Sequence, residues 1–236
     1  MPDLVFCKTG TNLRTHMNNA LQLIDLALSI GQRNLVRLTC DIPAGQVLTI
    51  MGPSGSGKSA LLAAITGTLD PAFTLTGQIR LNDQDITRRP TRLRQIGILF
   101  QDDLLFPHMS VAGNLAFGLT QSVKGRAARQ QRVEDALTAV GLTGFGPRDP
   151  ATLSGGERAR VALMRCLLSD PRALLLDEPF SRLDAHLRHE VRQMVFAQAR
   201  ALPVILVTHD PADAVAAQGP VLSPLGQSVT LPHPLP

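Results

Sequence analysis

Aromatic rings and thiols, which build many binding sites, are scarce in this chain. It has no Trp and no Tyr, and aromatic residues make up 3% of its 236 residues. Single-stranded nucleic acid is bound largely by stacking bases on such rings, so no direct nucleic-acid partner is expected. The three cysteines, Cys7, Cys40 and Cys166, are odd in number and lack metal-ligand spacing, which disfavours a disulfide framework or a zinc site. A reducing cytosol fits this cysteine usage best.

Long apolar runs and targeting signals are also missing. No stretch approaches the roughly 18 apolar residues of a membrane-spanning helix. The first 20 residues lack the basic segment and apolar core of a secretory signal and show no periodicity, so we expect residues 1–20 to be a poorly ordered extension. The net charge is +4, and the arginines, Arg94 and Arg165 among them, are dispersed, which predicts solvated helix faces. We expect a soluble protein that reaches a membrane only through a partner.

The most informative stretch is rich in glycine and lies between apolar runs at 46–51 and 60–65. It consists of Gly52, Pro53, Ser54, Gly55, Ser56, Gly57, Lys58 and Ser59. A strand, a glycine-rich turn and a helix start in this order form a phosphate cradle, because successive backbone N–H groups point into one concavity. Lys58 can reach the outer phosphates of a nucleotide, and the hydroxyl of Ser59 can bind Mg²⁺. A loop that only turns a corner would not match all eight positions.

The order of apolar segments predicts the fold. Near-alternating segments at 21–30 and 35–42 indicate antiparallel strands, and Ser110 is a candidate N-cap for a helix that opens a helical stretch. Later strands alternate with helices. We therefore predict an α/β fold of the RecA-like P-loop NTPase type, with a mainly parallel sheet core, an antiparallel β subdomain and a helical insertion. The domain spans residues 21–220, with its helical part at 102–168, and residues 221–236 form a Pro-rich tail.

Polar side chains directly follow the predicted sheet strands. Parallel sheets bind their ligands at the carboxyl ends of their strands, which is where these side chains lie. These are Gln101 after the run 95–100, Asp177 and Glu178 after 173–176, and His209 after 203–208. Asp177 is placed to hold Mg²⁺, and Glu178 to orient or deprotonate an attacking water. Two carboxylates after a strand are more often only a helix cap or a solvated turn. The P-loop earlier in the chain favours the catalytic interpretation.

A second glycine-rich helix start occurs at Ser154, Gly155, Gly156 and Glu157. It is either a well-capped helix or a second anion site. One nucleotide does not need two phosphate cradles from one subunit, so the pair suggests that ATP is shared between two copies of the chain.

Together these motifs resemble the ATP-binding cassette (ABC) family. In family order they are Walker A at 52–59, the Q-loop glutamine Gln101, the signature LSGGE at 153–157, Walker B at 173–178, the D-loop at 181–184 and the switch histidine His209. The stretch GILFQDDLLFPHMSVAGNLAFGL is similar to the importer branch that works with periplasmic binding proteins. The likeness covers residues 21–213, with departures at Ile30, Ala60, Glu157 and Arg182.

The resemblance implies an ATPase that powers solute transport. It implies a head-to-tail homodimer with ATP between Walker A of one subunit and Ser154–Glu157 of the other. Ser59, Gln101 and Asp177 would gather around Mg²⁺, Glu178 would be the catalytic carboxylate, and His209 would touch the γ-phosphate. Implied partners are membrane permease subunits, which would contact residues near Gln101 to Phe117, and a periplasmic solute-binding protein. The chain would then lie on the cytoplasmic face of the inner membrane.

The same motifs also fit two other functions. One is an ABC ATPase that acts outside transport, although those forms usually carry two cassettes or a long coiled-coil insertion. The other is a nucleotide-dependent regulatory module with little turnover. The second alternative draws on Ile30, which stands where the family usually has an aromatic residue that stacks on adenine.

Overall fold

The computed structural model describes residues 20–231, and it divides into two compact units. The first unit contains the described residues up to Ile96, together with Arg172–Glu178 and the chain from Ala199 onwards. The second contains Gly97–Pro171 and Pro179–Gln198. The predicted N-terminal extension lies, apart from residue 20, outside the described residues.

The strands are β1 (Ala20–Ile30), β2 (Arg33–Pro43), β3 (Val47–Ile50), β4 (Phe73–Leu81), β5 (Gln84–Asp85), β6 (Ile96–Leu99), β7 (Ala173–Asp177), β8 (Val204–Val207) and β9 (Val221–Leu222). The helices are α1 (Lys58–Thr66), α2 (Val111–Gly118), α3 (Arg126–Ala139), α4 (Gly155–Leu167), α5 (Ala185–Gln198) and α6 (Pro211–Ala217).

An antiparallel sheet in the first unit has the order β2-β1-β4-β5. Along β1, Leu21 and Leu23 are buried, and after a register shift Leu26 and Leu28 are buried in turn. The shift occurs at Asp25, whose φ is 45°. A bulge of this kind moves the alternation by one residue, so both leucine pairs point to the same apolar side. The predicted antiparallel β subdomain is confirmed.

A second sheet has the order β6-β7-β8-β3-β9, with β3 parallel to both β8 and β9 and β7 parallel to β8. Every residue of β3 and β8 is buried. Continuous apolar strands of this kind are typical of parallel sheets that are covered on both faces. The predicted, mainly parallel core is confirmed. Strand β9 comes from the segment that the sequence marks as a Pro-rich tail.

The second unit has its own apolar core, built largely from helices α2, α3 and α4. Fully or nearly fully buried members include Val111, Leu115, Val133, Leu137 and Val161. Helix α2 begins after Ser110, whose side-chain oxygen accepts a 3.1 Å hydrogen bond from the N–H of Gly113. The predicted N-cap is therefore confirmed. None of the helices in residues 20–231 has the length and hydropathy needed to cross a membrane.

The expectation of solvated faces fails for several arginines, of which Arg94 is the most deeply buried. Arg94 is buried, and its guanidinium donates to the carbonyl oxygens of Ala64 and Ile65 at 2.7 and 2.9 Å and to those of Thr87 and Arg89 at 2.7 Å. The last carbonyls of a helix lack partners within it, and Arg94 satisfies two of those in α1. Burial lowers the pKa of Arg94. This contact crosses 30 residues of sequence, so no local pattern could have indicated it.

Candidate nucleotide site

The glycine-rich loop joins the buried strand β3 to helix α1 in the first unit. Gly55 and Gly57 have φ angles of 74° and 98°, in the region that only glycine adopts without strain. A Cβ on Gly57 would lie 2.9 Å from the Cβ of Leu35, so this position also needs glycine because the backbone approaches β2 closely. Helix α1 then begins at Lys58, and its N-terminal N–H groups are turned toward the loop.

Lys58 holds the loop together. Its Nζ donates to the carbonyl oxygens of Gly52 and Pro53, both at 2.8 Å, and the residue is buried. The hydroxyl of Ser56 is buried without a hydrogen-bond partner in the described part of the chain. Buried polar atoms usually have partners, so an unpaired hydroxyl inside a glycine-rich loop fits a ligand oxygen.

The two predicted carboxylates lie at the end of β7, also in the first unit. Burial raises the pKa of Asp177, the neighbouring charge of Glu178 raises it further, and the charge of Lys58 opposes both. The charge of Lys58 acts on the carboxyl group of Asp177, so Asp177 lies within electrostatic range of the glycine-rich loop. Glu178 has a φ of 48°, and its N–H donates to the carbonyl oxygen of Val207 at 2.9 Å. This hydrogen bond fixes Glu178 against the end of β8.

His209 lies beside Glu178. Its Nδ1 is 3.2 Å from Oε2 of Glu178, and the imidazole is 64% exposed. The turn that carries it is held by two residues that the sequence analysis missed. The hydroxyl of Thr208 donates to the buried carboxylate of Asp213 at 2.8 Å and accepts the N–H of Asp210 at 3.0 Å. The sequence signal that could have indicated this turn is a Thr at the end of a strand, followed five residues later by an Asp.

The structure therefore brings Lys58, Asp177, Glu178 and His209 into one unit. They combine an ammonium that can bind phosphate, a carboxylate that can bind a metal, a candidate base and a histidine 3.2 Å from that base. The remaining predicted residues, Gln101 and Ser154–Glu157, belong to the second unit.

Within the second unit, Ser154 is the N-cap of α4. Its Oγ accepts the N–H of Glu157 at 3.3 Å, and Glu157 Oε2 accepts the N–H of Ser154 at 2.7 Å. The hydrogen bond from the Ser154 backbone lowers the pKa of Glu157. A Cβ on Gly156 would lie 2.4 Å from a methyl carbon of Leu187, so this glycine lets α5 pack against α4. The capped-helix interpretation is thus confirmed, and the exposed Ser154 leaves an anion role open.

Gln101 is exposed and lies in a bend after β6. It lines a groove of about 360 Å³ with Gly155, Arg158 and Arg182, all in the second unit. Arg158 and Arg182 form ion pairs with Asp103 and Asp102, contacts that the sequence analysis did not anticipate.

The first unit fits a nucleoside triphosphate and its metal. The loop offers backbone N–H groups, an ammonium and an unpaired hydroxyl to phosphate oxygens. Ser59 and Asp177 can offer oxygen ligands, and the described residues contain no group of three or more His, Cys, Asp or Glu side chains that could hold a metal ion by themselves. Mg²⁺ suits such a donor set, because it usually keeps several waters and binds one or two carboxylates together with substrate phosphates.

The fold and this loop define a P-loop nucleotide-binding protein, and comparison with known proteins gives its family. A family model described as ABC transporter matches residues 35–181. The chain belongs to the ABC transporter family, as an ATP-binding and ATP-hydrolysing subunit, which confirms the resemblance drawn from its motifs.

Three relatives illustrate the similarity. The uncharacterised ABC transporter ATP-binding protein YnjD of Escherichia coli is 53% identical over 186 residues, which cover 78% of this chain and 85% of that protein. The thiamine import ATP-binding protein ThiQ of Rhizobium meliloti is 41% identical over 185 residues, with coverages of 78% and 76%. The sulfate/thiosulfate import ATP-binding protein CysA of Mycobacterium tuberculosis is 45% identical over 176 residues, 74% of this chain but 49% of that protein. This chain therefore matches only half the length of CysA.

Proposed function

We propose that this chain powers solute import by hydrolysing Mg-ATP between two copies of itself. The observation that carries the proposal is the contact between Glu178 and His209, at the ends of two sheet strands in the unit that holds the P-loop. A carboxylate that only caps a helix or faces solvent has no need of this partner. A carboxylate that orients water does, because phosphoryl transfer depends mainly on positioning and charge stabilisation.

Each residue of the first unit then has a defined task. Lys58 exchanges its bonds to Gly52 and Pro53 for phosphate oxygens, since its ammonium can donate three hydrogen bonds. Ser59 and Asp177 would hold Mg²⁺, which when bound neutralises charge on the phosphates. Glu178 accepts a hydrogen bond from the attacking water, and His209 holds Glu178 in place. Gln101 is proposed as a further magnesium ligand on the family motif alone.

The homodimer is part of this proposal. The P-loop and the Ser154–Glu157 helix start are two anion-binding elements in two separate units of one chain. A head-to-tail pair of chains would place the helix start of each copy against the phosphates held by the other. The exposure of Ser154 supports this arrangement, because a partner's nucleotide can reach it.

The partners are a membrane permease and, with it, a periplasmic solute-binding protein. Support comes from the relatives, two of which are named as import proteins. The permease contact is proposed at Asp102, Asp103, Phe106 and Pro107, next to the exposed Phe117. Phe106 and Phe117 stack edge to face with their ring centroids 4.8 Å apart, which gives this surface an apolar centre. Docking there would keep the chain on the cytoplasmic face of the inner membrane. The two relatives differ in their solutes, so none is assigned.

A comparison of the wild type with Glu178→Gln tests the proposal. The wild type is expected to release phosphate from Mg-ATP, and the variant to be slower by roughly 100-fold or more, since general-base catalysis contributes that much. In Mg-ATP the variant is expected to sediment as a dimer, because it traps the nucleotide without hydrolysing it. Glu190→Gln, an exposed carboxylate of α5, is the matched control.

Two outcomes would contradict the proposal. Equal and negligible phosphate release by both proteins would favour a regulatory module with little turnover. Active protein that never copurifies with a permease would favour an ABC ATPase outside transport.

A further inference from the structure

The segment that follows Gln101 is anchored firmly at one end. Arg165 of α4 donates to the carbonyl oxygens of Asp103 and Leu104 at 3.1 and 2.8 Å. The fully buried Asn114 of α2 accepts the N–H of Phe106 at 2.8 Å and donates to its carbonyl oxygen at 3.1 Å. Backbone hydrogen bonds to charged or buried side chains are strong, so residues 104–106 form a fixed base.

The backbone conformation of Leu104 shows how firmly this base is held. Its φ is 46°, a left-handed conformation that costs a leucine free energy, and its side chain is exposed and gains little by burial. The conformation persists because Arg165 binds the carbonyl of this same residue.

Gln101 and Asp102, by contrast, are exposed and precede the base. The carboxylate of Asp102 is paired with the guanidinium of Arg182, while the neighbouring Asp103 pairs with Arg158 at 3.4 Å. Arg182 follows Glu178 by four residues and lies in the loop before α5. The ion pair therefore joins the segment that carries Gln101 to the loop that leaves the catalytic carboxylate.

We propose that Arg182 is a positioning residue, which fixes Gln101 through its ion pair with Asp102 and thereby sets the Mg²⁺ requirement of hydrolysis. This inference rests on the proposed function, because it gives Gln101 a role at the metal. The side chains of Arg182 and Asp102 are 63% and 53% exposed, so the pair adds little to the stability of the fold. Instead, the ion pair limits the range of positions that the exposed Gln101 and Asp102 sample.

The first test needs no catalysis. Hydrogen–deuterium exchange of the nucleotide-free protein is compared for wild type, Arg182→Ala and Glu190→Ala. The control breaks another partly exposed pair of the same unit, between Arg160 and Glu190 at 3.2 Å. Arg182→Ala is expected to speed exchange at residues 101–103 about two- to fivefold, the size of an exposed ion pair. Amides of 104–106 and the control are expected to stay unchanged. Unchanged exchange at 101–103, or equal acceleration in the control, would overturn the proposal.

The second test measures phosphate release against Mg²⁺ concentration. Arg182→Ala is expected to raise the half-saturating Mg²⁺ about two- to fivefold while kcat changes less than twofold, and Asp102→Ala is expected to raise the half-saturating Mg²⁺ by the same factor. The exchanged pair, Asp102→Arg with Arg182→Asp, is expected to restore the wild-type value. The differences should vanish near 1 M salt, where the screening length falls to about 3 Å.

These outcomes separate the two proposals. An exchanged pair as impaired as the single variants, or single variants with unaltered Mg²⁺ dependence, would overturn the role of Arg182. A wild type without Mg²⁺-dependent hydrolysis would instead overturn the proposed function, and the exchange experiment would still test the ion pair.

Discussion

Asp177→Asn is expected to change the stability of the empty and the loaded protein in opposite directions. Burial and the charge of Glu178 raise the pKa of Asp177 in the folded chain, so the folded protein holds this proton more tightly than the unfolded one. The stability linked to this proton is therefore present at low pH and is lost as the pH rises through the folded pKa. At pH 8 the ionised carboxylate destabilises the empty site, and an amide of the same shape removes that charge.

The size of both effects can be stated. Without nucleotide and with EDTA at pH 8, Asp177→Asn is expected to raise the free energy of unfolding by about 0.5 kcal/mol, since water partly screens this half-buried charge. That is roughly 1–2 °C in Tm for a chain of this length. With Mg-ATP at 100 times its Kd, the wild type should gain about 2.7 kcal/mol, or roughly 5–10 °C. The variant should gain less, because its amide oxygen carries no negative charge and is a weaker ligand for Mg²⁺ than the carboxylate that we propose at the metal.

Thermal unfolding followed by circular dichroism at pH 5, 6, 7 and 8 compares the Tm of the wild type with that of Asp177→Asn, with and without Mg-ATP. The advantage of the empty variant should shrink as the pH falls, because Asp177 of the folded wild type, with its raised pKa, then takes up its proton. Asp41→Asn, an exposed carboxylate of β2, controls for the general loss of a negative charge. A variant that melts below the wild type at pH 8 without nucleotide, or that gains as much from Mg-ATP, would refute the reasoning.

Three further variants test other contacts. Arg94→Ala should lower the free energy of unfolding in urea by about 3 kcal/mol, because it leaves four carbonyls without a charged donor, two of them in buried hydrogen bonds. The exposed Arg92→Ala should change it by less than about 0.5 kcal/mol. A loss below 1 kcal/mol for Arg94→Ala would contradict the cap. Lys58→Ala should weaken ATP binding in calorimetry roughly 10- to 100-fold, the worth of a hydrogen bond to a charged group, and unchanged affinity would remove Lys58 from the site. Glu157→Gln keeps an acceptor for the Ser154 N–H but removes a negative charge, so the ATP-dependent dimer should tighten about two- to fivefold in sedimentation, and a weaker dimer would contradict that role.

Regular elements and their ligand-bearing ends could be predicted from the sequence because their signals are local. The alternation in β1 and β2, the glycines between β3 and α1, and Ser110 before α2 each act within a few residues. Strand ends carry the ligands of parallel sheets, so Asp177 and His209 could be placed without knowing any long-range contact.

Side-chain partners distant in sequence could not be predicted. Arg165 looks like any surface arginine of an amphipathic helix, yet it binds backbone carbonyls 61 and 62 residues earlier. Arg182 has no neighbour in sequence that indicates Asp102 as its partner. Arginine serves both purposes because its guanidinium can satisfy several carbonyls in one plane, or pair with a carboxylate in water. Only tertiary structure decides between these uses.

The backbone at Glu178 connects the local signal with the chemistry. A φ of 48° is unfavourable for a glutamate, and glycine at this position would be free of that strain. The conformation is held by the hydrogen bond from the Glu178 N–H to Val207, which ties the turn after β7 to β8. The same strand leads to His209, whose Nδ1 lies 3.2 Å from the carboxylate. The strained turn therefore brings the side chains at two strand ends together, which is what a carboxylate that positions water requires and what a solvated turn would not need.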